Sequence, residues 1–469
     1  MGRLPADQSA RAVMAGWQKA ALTMAVLAAA YVATVDPKST ATVVVAIVTW
    51  VYVLASAYKL LVVARAFWQR PEVVVSPEET SALADLPLYT VLLPLYREAG
   101  VLTQLIENVC RLDYPPEKLD VKLLVEPDDP ETLLALDRVR LPAHFEVLVV
   151  PPGAPKGKPR ACNYGLAQAR GQFLVIYDAE DRPEPDQLRK AIVAFRKSGS
   201  RVACVQAKLS YYNASQNLLT RWFTCEYAAW FDLALAGLHA WGAPIPLGGT
   251  SNHFRTDVLR GLRGWDPYNV TEDADLGVRL HRQGWRTVIV DSVTYEEATA
   301  HLGNWLRQRT RWIKGYMQTW LVHMRHPFRL LSQLGVHGFA SFQVMIGLAV
   351  LSYLLNPLFW CLLGLWYASR PTALAELFPA PVLYGGSAAF VLGNLSFIYS
   401  HVMGCLRRRY YSLVKYCWGM PFYWLLMSVA AWRALFQLPR RPHYWEKTEH
   451  GLFQEGTATV AQQTVGRGR

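Results

Sequence analysis

The chain has 469 residues, of which 52% are hydrophobic and 18% charged, and its formal net charge is +12. Because single hydrophobic cores rarely grow beyond roughly 250–300 residues, more than one structural unit is expected. The mixture of hydrophobic and charged residues suits a chain that is part soluble and part embedded in a membrane. No run of five or more basic residues and no nucleic-acid-binding motif occurs, so the charge favours an anionic membrane surface or an anionic substrate over nucleic acid.

Two apolar segments open the chain. Residues 20–35 are uncharged, and residues 41–63 are uncharged up to the last turn, with the polar turn DPKST between them. Each segment approaches the roughly 20 residues that a transmembrane helix needs, so we predict two membrane helices within residues 1–70. A signal peptide and a buried hairpin of a soluble protein are the alternatives. Arg65 and Arg70 follow, and the positive-inside rule therefore predicts a cytoplasmic domain next.

Between residues 71 and 330, short apolar segments alternate with amphipathic ones. Strands are predicted in LYTVLLPL, KLDVKLLV, HFEVLVV and GQFLVIY, several of which end in acidic clusters. Continuous runs of Val, Leu and Ile indicate a parallel sheet that is covered on both faces. Ligands of such sheets bind beyond the carboxyl ends of the strands, where these acidic clusters fall. We therefore predict an α/β domain over this range.

Apolar segments return within residues 331–440. Residues 337–367 and 377–406 contain no Asp, Glu, Lys or Arg, and three consecutive arginines follow the second segment. A third apolar run, residues 416–432, is interrupted by a glycine and a proline. If this run crossed the membrane, it would export a basic tail. We expect either that it is re-entrant or interfacial, or that residues 337–367 contain a tight hairpin.

The seven cysteines show no CxxC spacing. Their odd number and scattered positions argue against a disulfide framework and against a zinc site, and favour reduced thiols facing the cytosol. They are Cys110, Cys162, Cys204, Cys225, Cys361, Cys405 and Cys417.

A carboxylate pair and a polar-aromatic helix form the strongest motif. Glu272 and Asp273 follow a turn-forming segment in TED, and some thirty-five residues later Gln308, Arg311 and Trp312 form QxxRW on one predicted helix. With apolar segments on both sides, this combination resembles the processive family-2 glycosyltransferases, which include the cellulose, hyaluronan and chitin synthases. The resemblance implies an α/β GT-A domain, which binds a nucleotide sugar, inserted between N- and C-terminal transmembrane helices.

The pair in TED is the expected catalytic group. An inverting transferase must remove a proton from the acceptor hydroxyl as its oxygen attacks the sugar, and a carboxylate within hydrogen-bond reach can act as that base. We assign this role to Asp273 and a supporting role to Glu272. Capping of the following helix by Thr271 and Asp273 is compatible with this assignment and is also its alternative.

The sequence YDAED, which follows a predicted strand, is the expected metal site. A divalent cation offsets the charge that grows on the leaving diphosphate, and oxygen ligands suit Mg²⁺ or Mn²⁺. The resemblance assigns Asp178 to the first position of a DxD motif. Glu180 occupies the second position and Asp181 follows, so either residue is a candidate for the second ligand. A helix cap before PEPDQL is the alternative interpretation.

The resemblance also implies further contacts to the nucleotide sugar. For Glu126, Asp128 and Asp129 the alternative is an ordinary Asp-rich turn, and for Lys158 it is a solvated lysine. The implied contacts are Glu126, Asp128, Asp129, Lys158, Asn163, Asp178, Gln308 and Arg311.

The acceptor is expected to lie against LGGTS and Trp312. Gly248, Gly249 and Thr250 resemble the small-residue floor of these synthases, where glycine lets a sugar chain approach the backbone. The indole of Trp312 offers a flat face for a sugar ring, and Arg311 offsets diphosphate charge. A simple turn and an interfacial tryptophan are the alternatives.

Residues 441–469 form the expected cytoplasmic tail. The sequence HYWEKTEHG is similar in character to the mobile gating segment of cellulose synthases, which makes Trp445, Lys447 and Thr448 candidate gating residues. A tail lying on the membrane surface is the alternative, and the small and polar end of the chain is predicted to be disordered.

As a whole, the resemblance implies a multi-pass enzyme of a bacterial-type inner membrane with a cytoplasmic catalytic domain. It would polymerise a nucleotide-activated sugar, UDP-glucose by family frequency, into a β-linked polysaccharide and guide the product across the bilayer, with export proteins as possible partners. One alternative is non-processive transfer to a polyprenyl phosphate or other lipid carrier. Another is a membrane receptor or export component with a degenerate transferase domain.

Overall fold

The computed structural model describes residues 4–372 and 376–447, and Thr448 and the rest of the predicted tail lie outside them. After a one-turn 3₁₀ helix (Ala6–Gln8), two long helices open the chain, α1 (Gly16–Val35) and α2 (Pro37–Gln69). Asp36 joins them and caps α2, because its carboxylate accepts a hydrogen bond from the Ser39 backbone N–H at 3.0 Å.

The α/β domain contains an eight-stranded sheet within the described residues. Its strands are β1 (Tyr89–Leu95), β2 (Leu119–Val125), β3 (Phe145–Val149), β4 (Phe173–Ile176), β5 (Arg182–Pro183), β6 (Val202–Tyr211), β7 (Asn252–Arg255) and β8 (Arg286–Glu296). Its helices are α3 (Pro77–Ser81), α4 (Leu102–Cys110), α5 (Pro130–Asp137), α6 (Lys158–Gln168), α7 (Gln187–Ser198), α8 (Leu218–Ala229), α9 (Ala236–Ala240), α10 (Thr256–Gly261), α11 (Glu272–Arg282) and α12 (Leu302–His323). A 3₁₀ turn (Pro116–Lys118) precedes β2, and a π-helical turn (Trp230–Leu235) joins α8 to α9.

The strand order is β3-β2-β1-β4-β7-β6-β8-β5. Strands β1 to β4 pair in parallel, and β6 pairs in parallel with β8. Strand β7 runs antiparallel to both β4 and β6, and β5 runs antiparallel to β8. Six strands therefore share one direction, so that their carboxyl ends meet at one edge. The predicted α/β fold is confirmed, with a sheet that is mixed and mostly parallel.

Both faces of the sheet are covered, as the continuous apolar strands predict. On one face the core contains residues of α4 and α7, such as Leu105 and Ile192. On the other face the core extends without a break from the strands through Phe223 and Trp305 to Tyr423 and Met427 of the C-terminal helices. The domain and the helices that follow it therefore share one core.

Long helices follow the domain. They are α13 (Pro327–Phe342), a π-helical turn (Gln343–Gly347), α14 (Leu348–Ser369), α15 (Ala380–Arg407), a 3₁₀ segment (Tyr411–Gly419) and α16 (Met420–Arg440). Residues 337–367 are helical throughout, with Pro357 inside α14, so the alternative of a tight hairpin there is wrong. The chain bends instead at Gly335, whose φ of 68° interrupts α13.

Four helical segments are long and apolar enough to cross a bilayer. Two precede the domain and two follow it, namely Gly16–Val35, Pro37–Gln69, Pro327–Ser369 and Ala380–Arg407. Helix α16, which contains most of the third apolar run, is not among them. It packs against α12 and α14 and buries Tyr423 and Met427, and its interfacial or re-entrant character stays a prediction.

Candidate active site

A cavity of about 630 Å³ lies at the edge where the parallel strands end. Its polar wall includes Glu126 after β2, Asp178 after β4 and Glu296 at the end of β8. This is the position that an α/β sheet offers to a ligand, and the volume falls in the range of small-molecule sites. Of the residues predicted to form the site, those that line this cavity are Glu126, Lys158, Asp178, Glu180, Gly248, Gly249, Glu272, Asp273, Gln308, Arg311, Trp312, Trp445 and Lys447.

Lys158 connects two walls of the cavity from the first turn of α6. Its ammonium group donates to Asp178 Oδ1 at 2.6 Å and to the Gly249 carbonyl at 2.5 Å. Burial lowers the pKa of Lys158, but the charges of Asp178, Asp273 and Glu272 outweigh burial and raise it above its ordinary value. A permanently charged ammonium in this position is suited to an anionic ligand.

Glu180 and Asp181 are placed differently, although they are neighbours in sequence. Glu180 lines the cavity. Asp181 lies behind the wall with 1% exposure, and accepts hydrogen bonds from the Asp178 backbone N–H at 2.7 Å and from the Thr250 hydroxyl. Asp181 and Thr250 therefore shape the turn that presents Asp178, and neither lines the cavity.

The carboxylates of Asp178 and Glu180 fit a divalent cation that is bound partly by the protein and partly by the phosphates of a substrate. Asp178 and Glu180 supply carboxylate oxygens to one cavity wall. Mg²⁺ is commonly bound by one or two carboxylates together with substrate phosphates, rather than by a complete protein cage. When bound there, such an ion would offset charge on a diphosphate.

Glu272 and Asp273 occupy the first turn of α11. Both are nearly buried, at 5% and 8% exposure, and Asp273 Oδ1 has no hydrogen-bond partner among the described residues. Thr271 holds the N-cap position, but its side chain makes no capping hydrogen bond. Since a buried carboxylate oxygen normally has a partner, the free oxygen of Asp273 is suited to receive a proton from a ligand.

Burial and like charge raise the pKa of Asp273 well above its ordinary value. Burial is the largest cause, the neighbouring charge of Glu272 is the next, and Lys158 opposes both. The pKa of Glu272 is also raised, again mainly by burial. A carboxylate with a raised pKa is a stronger base, which is what proton removal from a hydroxyl requires.

Helix α12 brings the QxxRW residues to the same cavity. Gln308 accepts a hydrogen bond from the Thr299 hydroxyl at 2.9 Å. The Arg311 guanidinium lies 5.0 Å from the centre of the Trp445 ring, and burial lowers its pKa. Trp312 stacks on Tyr227, with ring centroids 6.4 Å apart.

A partly buried ion pair beside these residues has no signal in the sequence motifs. Glu226 of α8 lines the cavity and pairs with both terminal nitrogens of Arg309. The Tyr423 hydroxyl accepts from Arg309 at 2.8 Å and donates to Glu226 at 2.7 Å. Arg309 lies inside the QRTRW sequence, but its inward direction follows from the packing of α12 on α8 and α16.

The part of the cavity wall formed by the π-helical turn, α14 and α16 is mostly apolar, and it is called the apolar half below. The sequence motifs gave no sign of it. It is lined by Met345 of the π-helical turn, by Ala349, Val350 and Tyr353 of α14, and by Met427 of α16. The cavity therefore extends from the strand ends to a helix that is apolar enough to cross a membrane.

The C-terminal segment 441–447 closes one side. Lys314 donates to the carbonyl oxygen of Tyr444 at 2.8 Å, which holds the segment against α12. Lys447 donates to the carbonyl oxygens of Tyr96 at 2.6 Å and Arg97 at 3.0 Å, just after β1. Trp445 and Lys447 thus line the cavity, while Thr448 is outside the described residues.

Three predicted nucleotide contacts lie outside the cavity wall. Asp128 is exposed and pairs with Lys156. Asp129 caps α5 by accepting from the Thr132 backbone N–H at 3.2 Å. Asn163 bonds the backbone of Trp265 through both atoms of its amide, at 2.8 and 2.9 Å, and so holds the turn before TED.

The chain is similar in sequence to known glycosyltransferases. Residues 87–315 match the family model described as glycosyltransferase like family 2. A probable glycosyltransferase, YdaM of Bacillus subtilis, is 27% identical over 54% of this chain, and the match covers 61% of that protein, less than two thirds of its length. A beta-monoglucosyldiacylglycerol synthase of Synechocystis is 25% identical over 82% of this chain and 81% of its own length.

Among solved structures, the mannosyltransferase PcManGT of Pyrobaculum calidifontis, in complex with GDP-Man and Mn²⁺, shares the fold. Its TM-score is 0.51 at 18% identity, and the match covers 85% of this chain and 98% of that one. Residues 87–315 therefore match a family-2 glycosyltransferase domain in sequence, and the α/β domain has a GT-A-like fold.

Proposed function

We propose that this protein transfers a hexose from a nucleoside diphosphate sugar to a hydroxyl group of a membrane lipid, with diacylglycerol as the model acceptor. The observation that carries this proposal is the two-sided cavity. Its polar half contains Lys158 and the carboxylates of the strand ends, and its apolar half is built by α14 and α16. A lipid with one free hydroxyl and long acyl chains matches such a cavity, with its hydroxyl in the polar half and its acyl chains in the apolar half.

The relative from Synechocystis supports a lipid acceptor, because its name assigns glucose transfer to diacylglycerol and the match covers most of both chains. The processive synthesis of a β-linked polysaccharide rests on QxxRW and on the resemblance to cellulose-type synthases. We keep it as the competing hypothesis, because Trp312 also offers a surface to a sugar ring. UDP-glucose is the first donor to test.

The roles follow from the positions of the groups. Lys158 and Arg311 face the diphosphate, and Asp178 with Glu180 would hold Mg²⁺ or Mn²⁺ against it. Asp273 removes the proton from the acceptor hydroxyl as its oxygen attacks the anomeric carbon from the side opposite the diphosphate. Glu272 keeps the pKa of Asp273 raised by like charge. This in-line displacement inverts the anomeric configuration.

A membrane location follows from the same proposal. The four apolar helical segments would embed both ends of the chain, and a lipid acceptor would then reach the cavity from the bilayer beside α14. Arg65 and Arg70 at the end of the second segment support a cytoplasmic catalytic domain by the positive-inside rule.

The test uses the full chain in detergent micelles with diacylglycerol, Mg²⁺ or Mn²⁺, and radiolabelled UDP-glucose, UDP-GlcNAc or GDP-mannose. We expect one donor to give a labelled product that is soluble in chloroform, that depends on added diacylglycerol and that is absent with Asp273→Asn. A high-molecular-weight product formed without added lipid would replace the proposal by the processive hypothesis. Absence of both nucleotide release and nucleotide binding would favour a degenerate transferase domain.

A further inference from the structure

Three cysteines that are far apart in sequence meet where the domain joins the last helices. Cys225 lies on α8, Cys405 near the end of α15 and Cys417 in the 3₁₀ segment before α16. All three are fully buried, and their sulfur atoms lie within 4.8 Å of one another. The spacing of these cysteines in the sequence does not indicate a site, because three different elements contribute one thiol each.

The backbone around these thiols is fixed by close packing. Gly404 of α15 lies directly on the backbone of Ala228 and Ala229, so that any side chain at Gly404 would overlap α8. Trp222 of α8 donates its indole N–H to the Tyr416 carbonyl at 3.1 Å, which holds the 3₁₀ segment in place. The three sulfur atoms are therefore brought together by contacts that do not involve the sulfur atoms themselves.

The geometry suits a thiolate-bound metal ion. Zinc–sulfur bonds are about 2.3 Å long in proteins, which places two sulfur ligands of a tetrahedral ion roughly 3.8 Å apart. The sulfur atoms of Cys405 and Cys417 are 3.9 Å apart. The thiols of Cys225 and Cys417 both point to the carbonyl oxygen of Leu413, at 3.8 and 3.9 Å.

We propose that Cys225, Cys405 and Cys417 bind one Zn²⁺ ion. Binding releases the protons of the thiols and involves no change of oxidation state. Three thiolates leave one position of a tetrahedral ion, and His401 lies one turn before Cys405 on α15, with its Nδ1 bonded to the Phe397 carbonyl at 2.6 Å, which leaves Nε2 for a metal. His401 is the candidate for that position.

The ion would tie the membrane-side helices to the wall of the cavity. Cys225 directly precedes Glu226 and Tyr227, which both line the cavity. The site is separate from the carboxylates of Asp178 and Glu180, and its ligands are sulfur atoms rather than oxygen atoms. It is therefore a structural site, which selects a softer ion than the active site does.

The test measures metal content in the full chain, purified with reductant, incubated with Zn²⁺ and freed of excess metal on a desalting column. We expect close to one zinc ion per chain for the wild type by elemental mass spectrometry, and loss of that ion in Cys417→Ala. Cys204→Ala is the matched control, because Cys204 is equally buried but lies in β6. Equal zinc content in the wild type and Cys417→Ala would overturn the proposal.

A second measurement uses only the wild-type chain, so that it does not depend on the folding of a variant. Added Co²⁺ should produce the sulfur-to-cobalt charge-transfer absorption and the strong visible bands of a tetrahedral thiolate site, and Zn²⁺ should displace them. A chain that shows neither signal, or that contains a Cys405–Cys417 disulfide when purified with reductant, would contradict the zinc site. Both readouts are independent of glycosyl transfer, so failure of one proposal is not confused with failure of the other.

Discussion

Gly315 of α12 packs directly against the side chain of Thr271, the residue that precedes Glu272 and Asp273. A β-carbon at Gly315 would overlap Thr271, so glycine allows the QxxRW helix to lie against the helix that begins with the carboxylate pair. The absence of a side chain at Gly315 therefore determines how closely α12 approaches the proposed base, Asp273.

Gly315→Ala should therefore lower the turnover number by about 10²-fold, because a displacement of roughly 1 Å at a reacting group has that effect. Gly303→Ala on the same helix is the matched control, since nothing lies within 4 Å of its β-carbon position. Initial rates of nucleotide release give the comparison, and thermal melting shows whether the variant is folded. Equal rates for the two variants would refute the spacing argument.

Asp273→Asn should lower turnover by about 10²–10⁴-fold, the usual contribution of a general base. Nucleotide binding, measured by calorimetry, should change little, because Asp273 acts on the acceptor. Asp257→Asn provides the control, as Asp257 is an exposed residue in the first turn of α10. Full activity in Asp273→Asn would remove this residue from the mechanism.

The pH dependence of kcat/KM should report the raised pKa of Asp273. Burial and the charge of Glu272 raise this pKa, while Lys158 and Arg311 lower it. A base works only when deprotonated, so activity should fall with decreasing pH at a value above the ordinary aspartate pKa of about 3.9. Glu272→Gln removes the second-largest cause and should move this acid limb to lower pH.

Glu131→Gln is the control for the pH experiment, because Glu131 is an exposed residue of α5 far from the carboxylate pair in sequence. An acid limb that stays in place in Glu272→Gln, or that moves equally in Glu131→Gln, would argue against like-charge control of Asp273.

Glu180→Gln should change the metal dependence of the activity, whereas Asp181→Asn should change the stability of the fold. Glu180 lines the cavity, so its amide variant should need more Mn²⁺ for half-maximal activity. Asp181 is buried and holds the Asp178 turn, so its variant should lower the melting temperature instead. Metal titration and thermal melting of both variants are the measurements. The reverse pattern would assign the second metal ligand to Asp181.

Ala349→Trp should block the apolar half of the cavity. Ala349 lines that half, whereas Leu351 on the same helix is 41% exposed. Transfer to diacylglycerol should be lost in Ala349→Trp, while donor binding is retained, because the polar half is unchanged. Leu351→Trp is the control and should keep its activity. Retained lipid transfer in Ala349→Trp would exclude this route for the acyl chains.

Much of the sheet could be predicted from sequence, because a strand that is buried on both faces is mostly apolar. The two charged residues that β2 buries, Asp120 and Lys122, form an ion pair with each other. LYTVLLPL and KLDVKLLV became β1 and β2, and the groups that follow such strands necessarily gather at one edge. Strand β7 could not be recognised. Its four residues follow two glycines in LGGTSNHFR, and its antiparallel pairing depends on β4 and β6 rather than on local sequence.

The same contrast applies to the cavity. Lys158 and Asp178 were found because they adjoin strand ends or helix starts within short motifs. Glu226 and Ala349 lie in ordinary helical sequence, and they reach the cavity only through the packing of α8 and α14. The meeting of Cys225, Cys405 and Cys417 is likewise a property of helix packing, which cysteine spacing cannot express.

The contact of Lys447 with the Tyr96 carbonyl joins the segment after α16 to the loop after β1, so that two segments 351 residues apart in sequence complete a single wall. The match to the family-2 model ends at residue 315, yet the cavity continues into segments more than a hundred residues later. A fragment of residues 87–315 would contain Asp178, Glu180, Glu272 and Asp273 but would lack the apolar half of the cavity. Under the proposed function, substitutions in the later helices should therefore change the acceptor while leaving the binding of the nucleotide sugar intact.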